Sequence, residues 1–153
     1  MNDIFYKKAT KNDIELLMDI RLEMLKDVND LSKDYVYDEV LINESRKYFK
    51  DGEQTTVLAF DGNMVVGCAS ISYIWIMPTF SHPTGKRAHL MNVYTKAAYR
   101  RQGISQKMVE ILIDEAKSKG VTEISLDATK MGRPLYEALG FVASSSGMVM
   151  ELT

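Results

Sequence analysis

Arg100, Arg101 and Gly103 stand where an apolar run, Leu90-Met91-Asn92-Val93-Tyr94-Thr95, passes through Lys96-Ala97-Ala98-Tyr99 into an amphipathic segment, Gln106 to Lys119. Two guanidinium groups and a residue without a side chain, placed at the start of a helix, are the ingredients of an anion site. The first N–H groups of a helix have no intrahelical acceptor, and the macrodipole adds partial positive charge there. A glycine lets a ligand come close to those N–H groups, and the simplest ligand is a phosphate or pyrophosphate. Taken alone, these residues fit a neutral helix cap on a surface turn equally well. Other reactive side chains are few. Cys68 is the single cysteine, so neither a disulfide framework nor a thiolate metal cluster is expected. His82 and His89 lack zinc-ligand spacing, and no metal is expected.

The elements that must position these groups can be read from periodicity. Asn2 to Ala9 reads as a strand, and Thr10-Lys11-Asn12-Asp13 as a capping box with Asp in the Glu/Gln place. Ile14, Leu17, Met18, Arg21, Met24, Leu25 and Val28 then recur at helical spacing. A second helix is expected from a cap at Ser32 or Asp34 through Tyr37, Leu41, Glu44 and Tyr48, ending before Asp51-Gly52. Strands follow at Thr55 to Phe60 and Met64 to Met77 around Asp61-Gly62-Asn63, with Gly67 marking a bulge or close backbone contact. A loop from Pro78 to Lys86 leads to a strand, Arg87 to Thr95. Ile104, Met108, Ile111, Leu112 and Ala116 make one face of the next helix, closed by Gly120. Thr122 to Ala128 is a strand, and Gly132 or Arg133 to Leu139 a short helix with Pro134 in its first turn. Phe141 to Ala143 and Met148 to Leu152 read as a final strand pair around Ser144 to Gly147. This order argues an α+β (α/β mixed) fold in one domain, residues 1–153, with about seven strands and about four helices.

Bulk composition sets outer limits. With 46% hydrophobic and 26% charged residues in 153, the chain suits a globular domain with a sizeable core. A formal net charge of −2 gives no global field for nucleic acid. Apolar runs are far too short for a membrane span, and the N-terminal residues show no export signal. The expectation is a cytoplasmic protein without nucleic-acid or membrane partners.

Two blocks carry a family resemblance. Arg100, Arg101-Gln102, Gly103, Ile104 and Ser105 follow the pattern Arg or Gln, any two residues, Gly, any residue, Gly or Ala, except that Ser105 takes the last place. Downstream, Pro134-Leu135-Tyr136-Glu137-Ala138-Leu139-Gly140-Phe141 looks like a second block centred on a tyrosine and a Gly-Phe pair. With these blocks in this order of elements, the chain resembles the GCN5-related N-acetyltransferases, the GNAT family, which move an acetyl group from acetyl-CoA to an amine. The resemblance implies a three-layer fold with a central twisted mixed sheet flanked by helices. It places the pantetheine arm on the backbone of Val93, Tyr94 and Thr95. It places the pyrophosphate on Arg101, Gln102, Gly103, Ile104, Ser105 and Gln106, with Arg100 opening the motif. Thr129 stands seven residues before Tyr136, where the family often has a cofactor-binding asparagine.

Acyl transfer from a thioester needs a neutral amine, a stabilised carbonyl oxygen and a proton for the departing thiolate. A Lys-like amine has a pKa near ~10.4 and must be deprotonated. By resemblance, Tyr136 donates the proton, its phenol having an ordinary pKa of about 10, and backbone N–H groups around Val93 polarise the carbonyl. Direct attack in a ternary complex needs no covalent intermediate, so Cys68 has no nucleophilic part. Some family members hold a glutamate eleven residues before the signature; here that residue is His89, which is either a base, acting directly or through water, or a strand histidine packed beside Tyr73 or Met91. Trp75, Tyr73 and Met77 are core or loop support, or line the acceptor pocket with Met24, Tyr35 or Tyr37; Glu44 and Asp38 are solvated or draw in a cationic acceptor. The leading expectation is an acetyl-CoA-dependent N-acetyltransferase acting on a primary amine of a small molecule or peptide. The alternative is a non-catalytic acyl-CoA-binding sensor or regulatory module. Small members of the family often pair through edge strands or the C-terminal region, which implies a homodimer by resemblance alone.

Overall fold

The computed structural model describes residues 3–144 and 146–153. The strands are β1 (Ile4–Lys8), β2 (Gln54–Asp61), β3 (Met64–Trp75), β4 (Lys86–Thr95) and β5 (Glu123–Ser125), and the α-helices are α1 (Ile14–Val28), α2 (Glu39–Asp51), α3 (Ile104–Ser118) and α4 (Arg133–Ala138). Short 3-10 turns at Lys11–Asp13 and Ala97–Tyr99 complete the set. The strands form one sheet in the order β1-β2-β3-β4-β5. The pairs from β1 to β4 are antiparallel, and β5 lies parallel to β4 after the α3 crossover.

Alternation along the strands builds a core on each face. Val57 and Ala59 of β2, with Ala69 and Ile71 of β3, pack on Ile104, Met108, Leu112 and Ala116 of α3. Leu58, Val65 and Cys68 point the other way, to Leu17, Met18 and Ile20 of α1 and Phe49 of α2. Leu17, Leu58, Ile71, Met108 and Leu112 are fully buried, each contributing about 1.5–3 kcal/mol through removal from water. Helices on both faces make the three layers, and the fold is the mixed α+β one that the element order predicts.

The Thr10 box forms as expected: the Thr10 Oγ1 accepts from the Asn12 N–H, and the Asp13 carboxylate accepts from the Thr10 N–H at 2.8 Å. Gly67 meets both readings of it. The β2–β3 register shifts beside it, and a Cβ there would stand 2.9 Å from the Tyr94 carbonyl oxygen.

Several boundaries differ from expectation. The cap of α2 is Asp38, whose carboxylate accepts from the Val40 N–H at 2.8 Å, not Ser32 or Asp34. The intervening loop is tied to α1 instead, because the Tyr37 hydroxyl donates to the Leu22 carbonyl at 2.6 Å. The strand expected at Thr122 to Ala128 is regular only over Glu123–Ser125. Phe141 to Ala143 and Met148 to Leu152 are not strands, so the sheet has five strands rather than about seven. They pair with no strand among the described residues, and Val142, Met148, Val149, Met150 and Leu152 are exposed. Asn2 and Ser145, which belong to the expected first strand and last turn, lie outside the described residues.

Candidate active site

The site begins where β4 parts from β5. The two strands pair only at Arg87–Glu123, Ala88–Ile124 and His89–Ser125. Beyond His89, the β5-side edge of β4 has no strand partner among the described residues, and a wedge opens beside Leu90 to Thr95. A bulge lies on the other side of the same stretch. Cys68 faces Tyr94 and Ser70 faces Met91, so one β3 residue opposes two of β4, Asn92 and Val93. Asn92 adopts φ 58°, a left-handed conformation that asparagine tolerates better than most residues. Its buried groups hold it there. The Asn92 Oδ1 accepts from Arg21 at 3.1 Å, its Nδ2 donates to Ser70 Oγ at 3.1 Å, and its carbonyl accepts from the Cys68 thiol at 3.2 Å.

The turn before α3 has a glycine at its corner, as its residues predict. Arg101 (φ 63°) and Gly103 (φ 78°) are both left-handed, and α3 starts at Ile104. The helix's first backbone bond is from the Lys107 N–H to the Gly103 carbonyl, so the N–H groups of Ile104, Ser105 and Gln106 have no acceptor among the described residues. No atom stands within 4 Å of where a Gly103 Cβ would be. The side chains divide their work. Arg101 is exposed and without an ion pair among the described residues, whereas Arg100 donates to Asp27 at 2.8 Å and to the Thr95 carbonyl at 2.9 Å. Ser105 turns its hydroxyl to Thr95 Oγ1 at 2.6 Å, away from the open turn. The Gln106 amide runs along the helix to Glu110.

Tyr136 is half-buried on α4, edge-on to Phe141 with ring centroids 5.9 Å apart. Burial raises its phenol above the ordinary tyrosine pKa, and its hydroxyl has no hydrogen-bond partner among the described residues. Thr129 accepts from the Gly132 N–H at 3.1 Å, which turns the chain into α4. His89 Nδ1 lies 2.8 Å from Ser125 Oγ, and its Nε2 lies 3.9 Å from Asp127. Cys68 is fully buried, and desolvation pushes its thiol up to about 12, so it is a poor nucleophile.

On the α1–α2 face, a cavity of about 280 Å³ abuts the bulge. Arg21, Glu44, Tyr48, Ser70, Met91 and Asn92 are among its walls. Across the β3–β4 ladder His89 opposes Ser72, whose hydroxyl is 2.6 Å from that of Tyr48, a wall residue of this cavity. Glu44 faces it; Asp38 is the cap of α2. Tyr73 points to α3 instead, donating to Glu115, while Trp75 and Met77 are exposed beside the Pro78 loop. Arg21, Asn92, Ser70 and Tyr48 do not stand out by motif. The one sequence signal is an arginine among the apolar positions of the first helix, between Met18 and Met24. No group of three or more metal-ligating side chains occurs among the described residues, and no helix among them is long and apolar enough to cross a membrane.

Residues 17–141 match the family model described as Acetyltransferase (GNAT) family. The chain is 31% identical over 88 residues to a glucosamine 6-phosphate N-acetyltransferase of Trypanosoma brucei brucei, covering 58% of each. It is 36% identical over 66 residues to a thialysine N-epsilon-acetyltransferase of Bos taurus, covering 40% of this chain and 39% of that one. It thus spans 39% to 58% of the length of these curated relatives. A crystal structure of a predicted acetyltransferase with acetyl-CoA from Clostridium acetobutylicum superposes with a TM-score of 0.86 at 29% identity, covering 98% of this chain and 97% of that one.

Proposed function

The chain belongs to the acetyltransferase (GNAT) family, and from that premise we propose that it transfers the acetyl group of acetyl-CoA to a primary amine of a small molecule or peptide. The observation that carries this reading is the parting of β4 from β5 after three paired positions, next to a helix start with free N–H groups. Such a wedge leaves strand N–H and C=O groups for the amide-rich pantetheine arm. The turn fits a pyrophosphate, since it offers three unpaired N–H groups, the Arg101 charge and open space at Gly103. The relatives named for glucosamine 6-phosphate and thialysine support transfer to a small-molecule amine.

Acetyl-CoA supplies an activated acyl carbon: the C–N bond to the amine forms as the C–S bond breaks. The protein's part begins with binding, by Arg101 and the first N–H groups of α3, and with Val93 to Thr95 holding the arm along β4. The Arg100–Asp27 pair ties the end of β4 to α1 and keeps the wedge in register. The bulge interrupts the β3–β4 ladder at Asn92 and Val93, where backbone N–H groups around Val93 can polarise the acyl oxygen. Neutral Tyr136 gives its proton to the leaving thiolate. Its unpartnered hydroxyl and raised pKa suit a donor rather than a base. His89 takes the amine's proton directly or through water, with Asp127 stabilising the imidazolium that results.

The test is release of free thiol from acetyl-CoA against a panel of primary amines. Amine-dependent release with matching N-acetyl product is expected. Acetyl-CoA binding without turnover of any amine would overturn the enzyme reading in favour of a binding module.

A further inference from the structure

The cavity beside the bulge holds one charged group whose presence the fold does not explain. Arg21 lies in the stripe of α1 whose other members, Leu17, Met18 and Met24, pack in the core. A cation drawn out of water needs a counter-charge, and the other two half-buried arginines have one: Arg46 pairs with Glu15 and Arg87 with Glu123. Arg21 has none among the described residues. Its guanidinium donates through Nη1 to two neutral acceptors, the Asn92 Oδ1 at 3.1 Å and the Met24 sulfur at 3.5 Å. Its Nε and Nη2 have no hydrogen-bond partner among the described residues, and neither is fully enclosed. Burial lowers the Arg21 pKa from its ordinary value, yet a guanidinium stays protonated at neutral pH. Glu44 shares the cavity wall but forms no ion pair with Arg21.

The surrounding network aims this cation rather than neutralising it. Asn92 is held by Ser70, and Ser70 by Thr56 at 2.6 Å, so the oxygen that receives Arg21 is fixed from the sheet. Because Arg21 is anchored to the bulge residue itself, its free edge faces the cavity next to the place of acyl transfer. A planar guanidinium with two unfilled donor positions matches a carboxylate or phosphate bidentately.

We propose that the acceptor is a small amine that also carries an oxyanion, carboxylate or phosphate, and that Arg21 receives this oxyanion in the cavity between α1, α2 and the β4 bulge. The cavity volume of about 280 Å³ suits a small metabolite. This rests on the acetyl-transfer reading and adds what selects the acceptor. Arg21 is a specificity-determining residue that touches substrate. An oxyanion completes its charge and hydrogen bonds, while a neutral analogue leaves the guanidinium unpaired.

Matched acceptors test it: ω-amino acids against their primary amides, and O-phosphoethanolamine against ethanolamine, each assayed by thiol release and product formation. The anionic member of at least one pair is expected to have a kcat/KM larger by about tenfold or more, carried mainly in KM. Carboxylate and phosphate pairs tell the two oxyanions apart. In Arg21→Gln this ratio falls to near one, and Arg21→Lys, which keeps the charge without the fork, restores part of it. A wild-type enzyme that acetylates both members equally overturns the inference, as does a preference that persists in Arg21→Gln. The wild-type comparison decides even if Arg21→Gln fails to fold. Absence of turnover with every amine instead overturns acetyl transfer itself, so the two failures are distinguishable.

Discussion

In the proposed mechanism Tyr136 and His89 take opposite proton duties, and for Tyr136 the surroundings favour the donor form. The Tyr136 ring is held by Phe141 and its hydroxyl is left free, while desolvation disfavours the phenolate. The donor form is the protonated one, and a raised pKa keeps it populated at every pH up to beyond the ordinary tyrosine range of about 10. Any alkaline limb that belongs to Tyr136 is therefore displaced upward, not into the neutral range. Tyr136→Phe is expected to lower kcat by roughly 10²-fold while leaving acetyl-CoA affinity within a few-fold, as measured by steady-state kinetics and calorimetric titration. The proposed mechanism gives His89 the complementary duty of accepting the amine's proton. His89→Ala is expected to lower kcat/KM by roughly 10²-fold in steady-state kinetics. An unchanged rate would return His89 to a strand histidine satisfied by Ser125.

Elements are placed by local signals and oriented by distant ones. The Thr10 box is a local signal that the structure keeps. Burial raises the Asp13 carboxyl, but the Thr10 N–H and Lys7 outweigh it and hold the group below the usual carboxylate range. A depressed folded-state pKa gives stability that is complete above the unfolded value of about 3.9 and is lost as pH falls through the folded value. Asp13→Asn is expected to cost about 1–2 kcal/mol at pH 7 and progressively less below about pH 4, as measured by urea unfolding across that range. The same division explains what could be read in advance. The turn at Gly103, the α3 face and the Thr10 cap were legible because each depends on residues within one or two turns of chain. Arg21 and Asn92 were not, because their meaning lies in a contact across 71 residues of sequence. The last strand pair was misread for the same reason: alternation at Met148 to Leu152 is local, whereas a strand exists only where another lies beside it. Ser105 shows a third case. Its departure from the family pattern is harmless to the turn because Thr95 takes its hydroxyl.

At the scale of the molecule, the proposed acetyl-CoA site draws on the end of β4, the start of α3 and the chain leading to α4. β4 and α3 belong to the sheet and its packed layer, while β5 holds the sheet through three positions and α4 follows an irregular stretch. Pantetheine in the wedge would lie between β4 and the chain leading to α4, and pyrophosphate would occupy the otherwise unpaired start of α3. A ligand that binds only when these parts are together stabilises the folded state by mass action. At a CoA concentration about a hundred times Kd the gain is about 2.7 kcal/mol, which for a chain of this size raises Tm by about 5–11 °C. Arg101→Glu, which reverses a charge without an ion pair among the described residues, should remove most of that shift while leaving the Tm of the free protein within about a degree or two. Thermal unfolding with and without CoA, on both proteins, measures this. An equal shift in both would mean that CoA binds elsewhere than at the α3 turn.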